Sequence, residues 1–203
     1  MKVREMNVDV CSIQEVKGFV EEWHYSKNVN GITVTDCFML KHDQTMIGAM
    51  IFGTLGMANA WRKYGENQDD VRELRRLCCI DETPKNTESF FIGKALRWLK
   101  HNTSVKTIVS YADQHHGHSG VIYQASNFQH VGMTARGKVI VTPEKVYHDK
   151  AIRTYYKKAN GEKVLKPFAL RLKKQLETGE AYYDDRPSKH IYVYELKRKR
   201  GAK

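Results

Sequence analysis

The stretch NTESFFIGKALRWLKHNTSVKTIVSYAD, residues 86–113, decides the fold. Asn86 stands where a helix N-cap belongs. Behind it Phe91, Ile92, Ala95, Trp98 and Leu99 recur at helical spacing, with Lys94, Arg97 and His101 on the other face. That pattern predicts an amphipathic helix over 87–101. Val105–Tyr111 follows as an unbroken β-prone run, which suits a strand buried on both faces. After the polar corner Asp113-Gln-His-His-Gly-His118, a second helix is expected over 119–128. Val121, Ile122, Ala125 and Phe128 mark its inner side, and Tyr123 falls on its polar side. Such alternation of strand and helix predicts a mixed sheet covered on both faces.

Upstream, residues 2–8 read as a strand. Ser12 and Glu15 form a capping box for a helix carrying Ile13, Val16, Val20 and Trp23, which ends near His24-Tyr25. Residues 32–41 and 45–53 suit a hairpin across Asp43-Gln44, 57–65 a short helix, and Val71–Ile80 a strand stopped by Thr83-Pro84. Downstream, 129–135 and His190–Leu196 read as strands. Between them lies a segment rich in Lys, Arg and Tyr, with its own helix near 167–177 led by Pro167. The expected organisation is a single domain over 1–203. Its core spans 1–135 and 190–197, a basic insertion spans 136–189, and a basic tail spans 198–203. Ligands of such sheets gather beyond the carboxyl ends of the central strands, here Ile80-Asp81 and Tyr111-Ala112-Asp113.

A chain of 203 residues, 41% of them hydrophobic, is long enough to bury one sizeable core. No apolar run approaches the roughly 20 residues of a membrane span, and Met1-Lys-Val-Arg-Glu5 turns charged too early for a signal peptide. The expected location is the cytoplasm, with no membrane partner. Cys11, Cys37, Cys78 and Cys79 contain no CxxC pair, and the adjacent two would point to opposite faces of a strand; they read as small apolar residues. Lys plus Arg number 34 against 23 Asp plus Glu, a net charge of +11, which points to a polyanionic partner. Lys157, Lys158, Lys166, Arg171, Lys173, Lys174, Arg198 and Arg200 concentrate that charge in the last quarter and are the expected DNA contacts.

Several groups suit chemistry. Asp113 closes a buried strand at a corner too polar for a core; a carboxylate there accepts a proton, orients an amine, holds a cation, or simply caps a turn. The spacing of His115, His116 and His118 matches no structural zinc site, while a catalytic metal would draw ligands from distant segments such as His24 and Asp113. Asn86, Thr87 and Ser89 put free amides at a helix start, an anion or cofactor site opposed by Glu88. Arg75 and Arg76 lie mid-strand, where one must meet solvent, a carboxylate or an anionic ligand.

Taken together, His24-Tyr25-Ser26, Glu73-Leu74-Arg75-Arg76-Leu77, Pro84-Lys-Asn-Thr-Glu-Ser89, Ser110-Tyr-Ala-Asp113, Gly117-His-Ser-Gly120 and Ile122-Tyr-Gln-Ala125 resemble the Mom family of phage DNA-modification proteins, over roughly residues 20–135. The resemblance implies a divergent GNAT acetyltransferase fold: an α+β domain with a mixed, mostly antiparallel sheet flanked by helices and a basic insertion before the last strand. It further implies conversion of adenine in DNA to N6-(carbamoylmethyl)adenine, protecting phage DNA from restriction. By the same resemblance Tyr25, Arg75, Asp113 and Tyr123 are the catalytic residues, with His24 beside them. The partners implied are double-stranded DNA with a flipped-out adenine and a small-molecule donor, and a homodimer is left open. An ordinary GNAT enzyme carries a glycine-bearing pyrophosphate loop where this chain reads Pro84–Ser89. The donor is therefore open between acetyl-CoA and another acetamide donor, and iron enters only through the family. Two alternatives stand beside this reading: a conventional acetyl-CoA-dependent N-acetyltransferase, and a non-catalytic DNA-binding protein on the same scaffold.

Overall fold

A computed structural model describes residues 1–197 of the chain; Arg198 and Arg200 lie outside the described residues. The chain forms two compact units, one from Met1–Ala112, His116–Gly132 and the segment from His190, the other from Asp113–His115 and Met133–Lys189.

A seven-stranded sheet organises the first unit. With labels in chain order, its strands are β1 (Asn7–Cys11), β2 (Val34–His42), β3 (Thr45–Gly53), β4 (Val71–Cys79), β5 (Thr107–Asp113), β6 (Gln129–Met133) and β12 (Lys189–Glu195), arranged β1-β2-β3-β4-β5-β12-β6. β1 to β4 pair antiparallel in sequence, and β4 and β5 pair parallel. The β2–β3 turn forms although Asp43 and Gln44 both take positive φ, 47° and 65°, the conformation a two-residue hairpin turn requires.

Helix α1 (Ile13–Trp23) opens on the expected capping box: the Glu15 carboxylate accepts from the Ser12 amide at 2.7 Å and its hydroxyl at 2.8 Å. Val16 and Val20 bury their side chains completely against Cys37, Met39, Ala49, Ile51 and Cys78 on one sheet face. Helix α2 (Thr87–Asn102) covers the other face with Phe91, Ile92, Ala95, Leu96 and Leu99, which meet Phe38, Leu40, Met50 and Phe52. Cys78 and Cys79 belong to opposite clusters, as adjacent strand residues must.

Four elements differ from expectation. β1 starts at Asn7, because Val3–Glu5 coil into a 3-10 turn. The 57–65 segment holds only the 3-10 turn Ala60–Lys63. Asn86 makes no side-chain cap; it turns the chain through a left-handed conformation, φ 72°. Helix α3 (Val121–Ala125) is short, since the Ser126 hydroxyl donates to the Ile122 carbonyl at 2.7 Å and Asn127 reverses the backbone at φ 63°. Among the described residues no helix is long and apolar enough to cross a membrane.

Two irregularities of β4 matter most. It pairs with β5 only over Val71–Leu74 and Thr107–Ser110, so beyond that point the two strands run on without pairing to each other. On its other edge the register slips, with Ile51 opposite Arg76 and Phe52 opposite Leu74, leaving Arg75 as a bulge.

The second unit contains a three-stranded antiparallel sheet in the order β11-β7-β8, from β7 (Gly137–Val141), β8 (Val146–His148) and β11 (Tyr182–Arg186). Helix α4 (Pro167–Thr178) starts on Pro167 and sinks Leu172 into a small core with Ile140 and Ala181. A separate hairpin joins β9 (Tyr155–Lys157) to β10 (Lys163–Leu165). The sequence predicts only α4 here, because these strands are three to five residues long and mostly exposed, without a clear apolar alternation.

Candidate active site

A cavity of about 600 Å³ in the first unit opens where β4 and β5 stop pairing. Its walls come from Leu74–Cys79 of β4, Tyr111 and Ala112 of β5, His24 and Tyr25 after α1, and the segment His116–Tyr123. It therefore begins beside the middle of β4 rather than beyond its end at Ile80-Asp81.

The β4 bulge lets both arginines line this cavity. Arg75 Nη1 donates to both oxygens of Glu73, at 3.0 and 2.9 Å, and Glu73 also accepts the Gly56 amide at 3.0 Å. Arg75 Nε is buried and has no hydrogen-bond partner among the described residues. Arg76 turns to the backbone, with Nε donating to the Asn28 carbonyl at 3.1 Å and Nη1 to that of Arg75 at 2.8 Å. Burial and the neighbouring Arg75 charge hold the Arg76 pKa below its usual value.

His24 is only 5% exposed. Its Nδ1 accepts the Ser26 amide at 3.1 Å and lies 2.8 Å from the Ser26 hydroxyl, an arrangement that puts the ring proton of the neutral imidazole on Nε2. Burial first, then the charge of Arg76, push its pKa down to about 4. Tyr25 is 46% exposed and makes tilted contacts with three rings: centroids of His24 and His116 both lie 4.2 Å away, and that of His118 lies 5.1 Å away. Gly117, at φ 74°, makes the backbone reversal between the two histidines.

Tyr123 departs from its expected polar side. Its ring packs beside Phe128 and Tyr192, at 5.6 and 5.3 Å between centroids, and its phenol hydrogen-bonds Ser110. Burial pushes that phenol up to about 12, so it remains a protonated donor at neutral pH. Tyr192 fixes the start of α3, donating to the Ser119 carbonyl at 2.8 Å and accepting Gln124 Nε2 at 3.0 Å.

Asp113 is not among the lining residues. In the second unit it is 2% exposed, with Oδ2 2.8 Å from Lys189 Nζ and 3.6 Å from Arg186 Nη2, and Oδ1 accepting the His115 amide at 3.2 Å. Burial alone would raise its pKa, but the Lys189 hydrogen bond and charge, with Arg186, outweigh it and hold the carboxyl below the ordinary range. Of the sequence-predicted catalytic set, His24, Tyr25, Arg75 and Tyr123 share the cavity, while Asp113 is engaged by cations.

Asn86, Thr87 and Ser89 do not line the cavity either. The Thr87 hydroxyl donates to the Pro84 carbonyl at 2.7 Å and that of Ser89 to the Asn86 carbonyl at 3.0 Å. Glu88 is the residue of this turn that reaches the cavity, so the turn does not fit the diphosphate of coenzyme A. Among the described residues no group of three or more His, Cys, Asp or Glu stands together to hold a metal ion. Asp113, taken up by Lys189 and Arg186, does not fit the role of ligand. Lys157, Lys158, Lys166, Arg171 and Lys174 are exposed in the second unit, and Lys173 is half-buried there.

Sequence reasoning missed Glu73 and the contacts of His116 and His118 with the Tyr25 ring. Glu73 was legible, since opposite charges two apart on a strand share a face; the ring contacts depend on a backbone reversal that the sequence alone does not reveal.

The sequence model of the Mom protein family matches residues 5–202. The chain belongs to this family. The methylcarbamoylase mom of Escherichia phage Mu is 28% identical to this Mom-family chain over 132 residues, 64% of the chain and 54% of the phage Mu protein. The chain thus matches about half the length of that relative. Among solved structures, the ribosomal-protein-S18-alanine N-acetyltransferase from Escherichia coli superposes with a TM-score of 0.51 at 9% identity, covering 98% of the Mom-family chain and 99% of its own. An N-acetyltransferase from Staphylococcus aureus Mu50 gives 0.51 at 11% identity, covering 95% and 99%. These likenesses show a GNAT acetyltransferase fold.

Proposed function

We propose that this Mom-family chain is a phage DNA-modification transferase that converts adenine in duplex DNA to N6-(carbamoylmethyl)adenine and so protects phage DNA from restriction. The observation that carries this reading is the single cavity shared by Tyr25, Arg75, Tyr123 and His24 in a chain of this family. The name of the phage Mu relative, a methylcarbamoylase, supports the reaction class.

The adenine amine is a poor nucleophile, because its lone pair is delocalised into the ring. In the proposed step N6 attacks the methylene carbon of an acetamide donor. The N6–C bond forms, the bond from that carbon to its leaving group breaks with its electron pair, and N6 loses one proton. Arg75 Nε, buried and unpartnered among the described residues, is the donor for the acetamide carbonyl. Tyr25 with His116 and His118 forms an aromatic rim at which the base is received, once unstacked from the duplex at a cost of a few kcal/mol. Tyr123, protonated at neutral pH, donates to an acceptor on the base edge. His24, neutral above about pH 4 and with Nδ1 taken by Ser26, donates a hydrogen bond from Nε2 to the departing group, and the N6 proton, strongly acidic once the new bond has formed, passes to water. Asp113 acts through position, holding the turn after β5 by its bond to the His115 amide.

The test is nucleoside mass spectrometry of DNA from cells expressing the chain. An adenine nucleoside heavier by one carbamoylmethyl group is expected; unmodified DNA from cells that accumulate the folded protein overturns the reading.

A further inference from the structure

We propose that the β9–β10 hairpin of the second unit is a ribbon that enters the major groove of duplex DNA and contacts its phosphates. This rests on the reading of DNA as the substrate and names the element that grips it. Between Thr154 and Lys166 the chain carries Lys157, Lys158, Lys163 and Lys166 against the single acid Glu162. Glu162 is taken by Lys158 at 3.0 Å. Lys157 and Lys163 sit directly opposite each other in the antiparallel pair, and neither forms an ion pair with any described carboxylate. Like charges directly opposed on a ribbon destabilise it. A chain that keeps such a pair without a counter-charge gains most when an anion arrives from outside.

The same face carries Tyr155, two residues before Lys157 and 47% exposed, so an aromatic ring flanks the two ammonium groups. All three residues of β9 are exposed, as are Lys158 through Lys163, which leaves the tip of the ribbon bare on both sides. The ladder is closed at its base by the Lys166 amide donating to the Thr154 carbonyl at 2.8 Å and near its tip by the Lys158 amide donating to that of Glu162 at 2.9 Å. Two strands about 5 Å apart, with their side chains, match the roughly 12 Å width of the major groove. A flat anionic surface would use the lysines but gives no reason for a two-stranded ribbon exposed on both sides of its tip.

The experiment uses the full chain and a fluorescent DNA duplex, with affinity followed by anisotropy across a salt series. Lys157→Gln/Lys163→Gln is compared with Lys85→Gln/Arg97→Gln, which removes the same charge from exposed positions of the first unit. The ribbon variant is expected to bind about ten-fold more weakly, with a log–log salt slope shallower by about two, and the comparison variant to stay within about two-fold of the parent. Equal losses in both variants, no loss in the ribbon variant, or stronger competition by single-stranded DNA or RNA than by duplex overturns the proposal. Modified adenine measured in parallel separates the two readings. A parent that modifies DNA while the ribbon variant binds normally sinks the ribbon alone; ribbon-dependent binding without any modified adenine sustains the ribbon and sinks the enzyme.

Discussion

Arg75 is held in place by a carboxylate and lines the cavity, so its removal acts on stability and, in the proposed step, on chemistry at once. Truncation to Ala leaves Glu73, 8% exposed, without its cation, a cost of about 3 kcal/mol. Urea melts should show that loss for Arg75→Ala and a partial recovery for Arg75→Ala/Glu73→Gln, with DNA modification absent in both. Recovery of activity along with stability would remove Arg75 from the chemistry. His24 gives a second test. The unfolded chain takes a proton near 6.5, and the folded one only near 4. Between those values the unfolded state binds more protons, so the stabilising contribution is complete above pH 6.5 and is lost as pH falls toward 4. His24→Gln should flatten the fall in Tm between pH 7 and pH 5; an unchanged slope would show that His24 does not carry it. At this scale the sequence spoke unevenly. Tyr25 and Arg75 were legible as motif residues. The partners of Asp113 were not, because Arg186 and Lys189 stand more than 70 positions further along the chain.

Elements with a strong period read correctly: the Ser12/Glu15 box announced α1, and the apolar stripe from Phe91 to Leu99 announced α2. The second unit was opaque because a strand such as β11, Tyr-Tyr-Asp-Asp-Arg, has no buried face to impose alternation. The start of α3 was half legible, through its glycines. Gly120 takes φ 83°, and a Cβ there would collide with the Tyr192 ring. Gly120→Ala should therefore displace either α3 or Tyr192 and with it Tyr123, lowering Tm by several degrees and the yield of modified adenine more than tenfold. A variant with parental Tm and yield would mean that the α3 start tolerates movement. Gly93, inside α2 with open space around it, serves as the comparison at which Ala costs nothing.

Across the whole molecule, a GNAT-type sheet supplies the cavity through the parting of β4 from β5, and a separate basic unit supplies charge. The net charge of +11 speaks for a polyanionic partner, since net charge informs about partners rather than fold. The location of the cavity was legible only in part, because a bulge and an early end to strand pairing leave no mark in hydrophobic periodicity. The proposed chemistry takes place inside that cavity, and Tyr25 probes it most cleanly, being nearly half exposed and outside both cores of the first unit. The decisive measurement is the amount of N6-(carbamoylmethyl)adenine in DNA from cells carrying equal levels of the parent and of Tyr25→Ala. Abundant product is expected with the parent and a loss of at least about a hundredfold with the variant; equal product from both would rule out chemistry at Tyr25.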